Sequence, residues 1–132
     1  MTTGARARPA LRWLRSGMVR ALLMLAVPYG CALAADPERG RAVYEACAAC
    51  HGERPDASGP SLRGVIGRPA ATAPEFRYSA PMKRARIVWT EENLRAYLTD
   101  PQRTVPGNRM PYAGIRDASD LDDLMSYLAT LR

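Results

Sequence analysis

Apolar residues near the C-terminus recur at steps of three and four: Leu121, Leu124, Met125, Leu128 and Leu131, with Tyr127 alongside. That spacing places them on one face of an α-helix. The helix is predicted to start near Asp117 or Ser119, with acids early, and to run nearly to the end of the chain. A shorter stripe, Leu94, Tyr97 and Leu98, follows Thr90-Glu91-Glu92, a hydroxyl cap with acids in the first turn. Pro101 ends it. A third pattern sets Val43, Ala46 and Cys47 on one face with Tyr44 beside them, opened by Asp36 as N-cap and Pro37 at the first helical position. Gly40 lies one turn before Tyr44. A glycine inside a helix costs about 1 kcal/mol against alanine, so this one predicts close approach by another helix.

From Gly52 to Trp89 no period holds, and Pro55, Gly59-Pro60, Gly64, Gly67, Pro69, Pro74 and Pro81 divide the stretch into turns. No run alternates convincingly as a strand. The expected fold class is therefore all-α: three main helices joined by loops. A stretch this long without structure does not suit a compact domain unless something large and flat gives the loops a surface to wrap.

The first 35 residues read differently. Arg6, Arg8, Arg12, Arg15 and Arg20 come with no acid, followed by the apolar run Ala21–Val27 and the small-residue tail Ala32-Leu33-Ala34-Ala35. A basic region, a short apolar region and an A-x-A tail make a cleavable secretory leader. The apolar run is short for a bilayer span. Residues 1–35 are thus expected to be a cleaved signal peptide and 36–132 the working domain. An uncut N-terminal anchor is one alternative; a lipid anchor at Cys31 is another, weakened by Pro28-Tyr29 before Gly30.

Removing the leader changes the charge argument. The whole chain carries 19 basic and 13 acidic residues, net +6. All five leader charges are basic, so fourteen basic and 13 acidic residues remain, a net charge near +1. The basic excess belongs mostly to the leader and argues against nucleic acid as partner.

Within 36–132 the only cysteines are Cys47 and Cys50, and His51, directly after them, is the chain's only histidine. Cys47-Ala48-Ala49-Cys50-His51 is a C-x-x-C-H sequence, the attachment signature of c-type haem. Two thiols three residues apart share one side of a helical turn and can each add to a haem vinyl group. The next residue presents an imidazole nitrogen to the iron. A structural zinc site needs four ligands, and only three Cys/His ligands are available. A redox thiol pair needs a βαβ scaffold that this chain lacks. One covalent haem c also supplies the flat surface the long loop region requires, and its attachment outside the cytoplasm agrees with a secretory leader.

From Asp36 to Arg132 the chain resembles the class I cytochromes c, of the mitochondrial and bacterial c2-like type. The resemblance rests on residues 47–51, Gly-Pro-Ser-Leu-Arg-Gly-Val-Ile-Gly-Arg at 59–68, and Tyr78-Ser79. It continues through Trp89, Tyr97-Leu98 with Pro101, and Val-Pro-Gly-Asn-Arg-Met-Pro-Tyr-Ala-Gly-Ile at 105–115. It implies the small cytochrome c fold, with loops wrapped around one haem. It implies that His51 and Met110 are the axial iron ligands, and that the Pro60 carbonyl accepts from His51. It implies propionate contacts for Arg68, Tyr78 and Trp89, and a place near the methionine sulfur for Tyr97. Gly40 and Tyr44 match first-helix positions that cross the last helix opposite Leu124 and Tyr127. Of the other two methionines in this part, Met125 lies on the apolar stripe of the last helix and Met82 among charged neighbours in the loop region. Plain core packing for Trp89 and Tyr78 is compatible with these roles.

Three features depart from the family pattern. Asn108 stands where threonine is common, Met82 where asparagine is frequent, and arginines replace all but one lysine, Lys83. The resemblance implies a single-electron carrier in the periplasm, not an enzyme, exchanging electrons with a protein donor and a protein acceptor. The processed chain is expected to be monomeric with no membrane span. The alternatives are the haem subunit of a larger complex, or a sensor or peroxidase-like protein with a labile sixth ligand.

Overall fold

The computed structural model describes Met1 and residues 34–132; the expected leader and its cleavage point otherwise lie outside the described residues. Five helices follow in order: α1 (Pro37–His51), α2 (Ala80–Ala85), α3 (Glu91–Thr99), α4 (Pro101–Thr104) and α5 (Ala118–Leu128). Among the described residues there is no strand, only an isolated antiparallel bridge between Pro69 and Val88.

The three long helices start where their caps do. The Asp36 carboxylate accepts from the Glu38 amide at 2.9 Å, and the Thr90 hydroxyl accepts from the Asn93 amide at 3.2 Å. The Asp117 carboxylate accepts from the Ser119 and Asp120 amides at 2.8 and 3.1 Å. Each bond satisfies an amide that the first turn leaves without a partner. Pro101 ends α3, and it also opens α4, with Asp100 accepting from the Arg103 amide at 3.0 Å. The stretch expected to be loop throughout contains α2. Ser79 caps it by accepting from the Met82 amide at 3.3 Å, Pro81 sits in its first turn, and Arg86 ends it in the left-handed conformation with φ 50°. Six residues are too few to show a helical period, and a proline in a first turn reads in sequence as a breaker although it fits there. Met82 is accordingly a buried core residue and not a loop side chain among charges.

The core draws on the predicted faces. Leu94, Tyr97 and Leu98 of α3 and Leu124, Met125 and Leu128 of α5 are buried, with Trp89, Val65, Val105 and Ile115 from the loops. Around them is a fringe of half-buried apolar side chains, Val43, Leu62, Ile66, Tyr78, Ile87, Met110 and Tyr112 among them.

The tightest junction is the crossing of α1 and α5. A Cβ added to Gly40 would lie 1.9 Å from the Asp123 carbonyl oxygen and 2.9 Å from Tyr127 Cβ, so only a residue without a side chain lets the backbones meet. The Tyr44 and Tyr127 rings stack beside the crossing, 5.0 Å apart and tilted by 52°. The Asp123 side chain, on a residue only 3% exposed, reaches back across it. Its Oδ1 accepts from the Asp36 amide at 2.6 Å, and its two oxygens accept from Arg39 Nε and Nη2 at 2.7 and 3.0 Å. The periodicity places Asp123 within a polar run of α5 and gives no sign of this tie.

Gly40→Val is expected to destabilise the folded protein by at least about 1–3 kcal/mol, the usual cost of overpacking, read from urea unfolding. The Arg39 guanidinium and the Asp36 amide hold the Asp123 carboxyl below the usual carboxylate range. Its stabilising contribution is therefore complete above the unfolded pKa of about 3.9 and is lost as pH falls through the lower folded value. Asp123→Asn should reduce stability at neutral pH and flatten the acid side of the stability profile below about pH 4. A profile parallel to that of the parent protein there would contradict the linkage.

Candidate haem-attachment site

The last turn of α1 carries the chemistry. Cys47, Cys50 and His51 close the helix, which ends at Gly52. Both cysteines are free thiols and half-buried. Burial, and then the neighbouring Cys50, push the Cys47 thiol up, so it remains protonated at neutral pH. An S–H group is what adds across a vinyl double bond to form a thioether.

His51 is fixed from one side. Its Nδ1 lies 2.7 Å from the Pro60 carbonyl oxygen. A carbonyl can only accept, so Nδ1 carries the proton and donates, which leaves Nε2 with a free lone pair. The loop that brings Pro60 there is bound to the end of α1 by the Gly59 amide donating to the Cys50 carbonyl at 2.9 Å. A Cβ at Gly59 would lie 2.7 Å from His51 Cε1 and 2.8 Å from Nδ1. Gly59 is therefore the residue that lets the loop lie against the imidazole ring. In sequence it reads only as a turn glycine before a proline.

The other candidate residues are spread over the loops. The Arg68 guanidinium donates to the Arg63 carbonyl at 2.9 Å and to the Ser61 carbonyl at 2.8 Å, closing the loop after Pro60. The Tyr78 hydroxyl accepts from the Ala73 amide at 3.4 Å, and its ring meets Phe76 edge-on at 4.9 Å. Trp89 is buried against Tyr97, ring centroids 4.9 Å apart. Its backbone bridges to the same loop region, with the Gly67 amide donating to Trp89 and the Trp89 amide to Arg68. Tyr97 donates from its hydroxyl to Asn108 Oδ1 at 3.3 Å. Burial raises its phenol to about 12, so it keeps its proton throughout the neutral range.

Met110 follows on the loop after α4. Its amide donates to Asn108 Oδ1 at 2.9 Å. The methionines divide by burial: Met82 is 8% and Met125 4% exposed, both within the core, whereas Met110 is half-buried at its fringe. Two residues beyond Met110, burial and the nearby Cys47 raise the Tyr112 phenol. Sequence reasoning passed over Gly59 and Tyr112 and left Asn108 without a role.

These groups fit a covalently held haem. The chain offers two free thiols on one turn, an imidazole held at Nδ1 by a carbonyl, a half-buried thioether on the loop after α4, and half-buried apolar side chains. Among the described residues no cluster of three or more His, Cys, Asp or Glu side chains could hold a metal ion instead.

Comparison with known proteins agrees. The Cytochrome c sequence family matches residues 37–132. Cytochrome c2 of Agrobacterium tumefaciens (strain II Chrys) is 41% identical over 99 residues, covering 70% of this chain and 89% of that protein. Cytochrome c of Euglena viridis is 40% identical over 100 residues, covering 74% of this chain and 98% of that protein. Among solved structures, cytochrome cH from Methylobacterium extorquens superposes with a TM-score of 0.69 at 34% identity, over 72% of this chain and 98% of that one. With the attachment turn, the fixed imidazole and the helical fold in agreement, the chain belongs to the class I c-type cytochromes, electron-transport proteins with one covalently attached haem c.

Proposed function

We propose that the chain is a periplasmic single-electron carrier in which His51 and Met110 are the two axial ligands and no substrate is bound at the iron. The haem, once attached, supplies an iron that alternates between ferrous and ferric states. The protein's part is to hold both ligands and exclude water. His51 offers Nε2 because the Pro60 carbonyl holds the proton at Nδ1, and a ring oriented by such a bond is also a more basic ligand. Cys47 and Cys50 tether the ring system on the same turn. The half-buried Val43, Leu62, Ile66 and Tyr112 provide apolar surface for its faces. Arg68, Tyr78 and Trp89 bring donor groups to the loops that would meet the propionates.

The observation that carries the reading is the contrast among the methionines. Met82 and Met125 are enclosed by the core. Met110 is half-buried on the loop after α4, at the edge of that core. A thioether as sixth ligand raises the reduction potential and leaves no open coordination position, which suits transfer of electrons between proteins and not chemistry on a substrate. The partners are a donor and an acceptor protein met by a monomer. Among the described residues no helix is long and apolar enough to cross a membrane. Residues 1–35 are the leader that directs export and is then removed.

Met110→Ala should abolish the weak far-red absorption band of ferric thioether–iron ligation and lower the reduction potential. Met82→Leu and Met125→Leu should keep the band, the latter costing less than about 1.5 kcal/mol as a volume-conserving core exchange. A band that survives Met110→Ala and disappears with Met82→Leu would reverse the assignment. N-terminal sequencing of protein from the periplasmic fraction should begin at Asp36; an intact chain beginning at Met1 in the membrane fraction would refute cleavage.

A further inference from the structure

Asn108 is a buried polar side chain whose hydrogen-bonding capacity is fully used. The residue is 7% exposed. Its Oδ1 accepts from the Met110 amide at 2.9 Å and from the Tyr97 hydroxyl at 3.3 Å. Its Nδ2 donates to the Pro101 carbonyl at 2.8 Å and the Val105 carbonyl at 2.9 Å. Two donors and two lone pairs meet two carbonyls and two donors, so the orientation of the amide is decided by its neighbours. Turning it over would face an N–H toward the Met110 N–H and an oxygen toward two carbonyls.

These four bonds join separate parts of the fold. Tyr97 belongs to α3, Pro101 opens α4, Val105 follows α4, and Met110 lies on the outgoing loop. A threonine hydroxyl, common here among the chain's relatives by resemblance, has one donor and could not hold both carbonyls. The exposed Gln102 adds an outer brace: its Nε2 donates to the Asn108 carbonyl at 3.1 Å and its Oε1 accepts from the Gly107 amide at 3.2 Å. The backbone immediately before Met110 is therefore held from inside and outside.

We propose that Asn108 is the positioning residue of the sixth ligand: it clamps the Met110 backbone to α3 and α4 and so sets how often the thioether leaves the iron. The proposal rests on Met110 being that ligand. In this role Asn108 acts through the Met110 backbone. It acts by limiting the freedom of the loop, a control that a contact between Met110 and its surroundings alone would not provide. Removing a buried partner also leaves the Pro101 and Val105 carbonyls and the Met110 amide unpaired, which favours an opened loop.

The test uses haem-loaded ferric protein titrated with imidazole at neutral pH, followed by loss of the far-red band. Imidazole binds only where the methionine has moved away, so its apparent affinity reads the open fraction. Asn108→Leu, which keeps the branched outline of the side chain and removes the bonds, should tighten apparent binding by about tenfold or more, and Gln102→Ala by about threefold. The same Asn108→Leu protein, heated, should lose the far-red band well before its far-UV helical signal. A merely structural role would lower both together. Met110→Ala is the control: a band that persists there defeats the ligand assignment itself. If Met110→Ala lacks the band while Asn108→Leu binds imidazole within about twofold of the parent, the clamp is overturned and the ligand assignment stands. Should Asn108→Leu fail to fold, Asn108→Thr, whose single donor cannot hold both carbonyls, takes its place, with affinity within about twofold of the parent counting against the clamp.

Discussion

Everything at the haem site depends on the backbone contact between α1 and α5. With a carbonyl oxygen of α5 where the Gly40 side chain would otherwise be, the two helices can cross at one position only. Asp123 then fixes the start of α1 through the Asp36 amide and the Arg39 fork. Because α1 continues unbroken to His51, holding its first turn also aims its last one. The thiols and the imidazole are thus placed by a helix whose position is decided three turns away, at a junction that touches no cofactor.

In the proposed site two loops with different tasks would join that turn. On one side Gly59 and Pro60 lie against His51 and dictate which ring nitrogen carries the proton. On the other, Asn108 ties the Met110 segment to α3 and α4. One loop sets an electronic state, the other a position. The core is fringed by half-buried apolar side chains. A domain of this size buries a modest core, to which an attached haem would add apolar surface.

The long helices were legible because their signals are local and redundant. Asp36-Pro37, Thr90-Glu91-Glu92 and Asp117 mark their own starts, and the Leu121–Leu131 stripe has enough turns to show its period. The attachment turn was legible because covalent haem chemistry confines its residues to five consecutive positions. What sequence could not show was non-local or short. α2 has too few residues for a period. Asp123 looks like one acid among several until the fold brings Arg39 to it. Asn108 stood out only as a departure from a resemblance, because its four partners are spread from residue 97 to residue 110 and meet only in three dimensions. Gly59 needed the His51 ring beside it before its missing side chain meant anything.

A carrier of electrons needs both axial positions filled at rest, and that is the feature separating it from a sensor or a peroxidase-like protein on the same fold. Exposing the reduced, unmodified protein to carbon monoxide at neutral pH measures this directly. The account predicts a visible spectrum that does not change, because Met110 holds the sixth position against a diatomic competitor. A prompt shift to a carbon monoxide-bound spectrum would show an open site in the resting protein and contradict it.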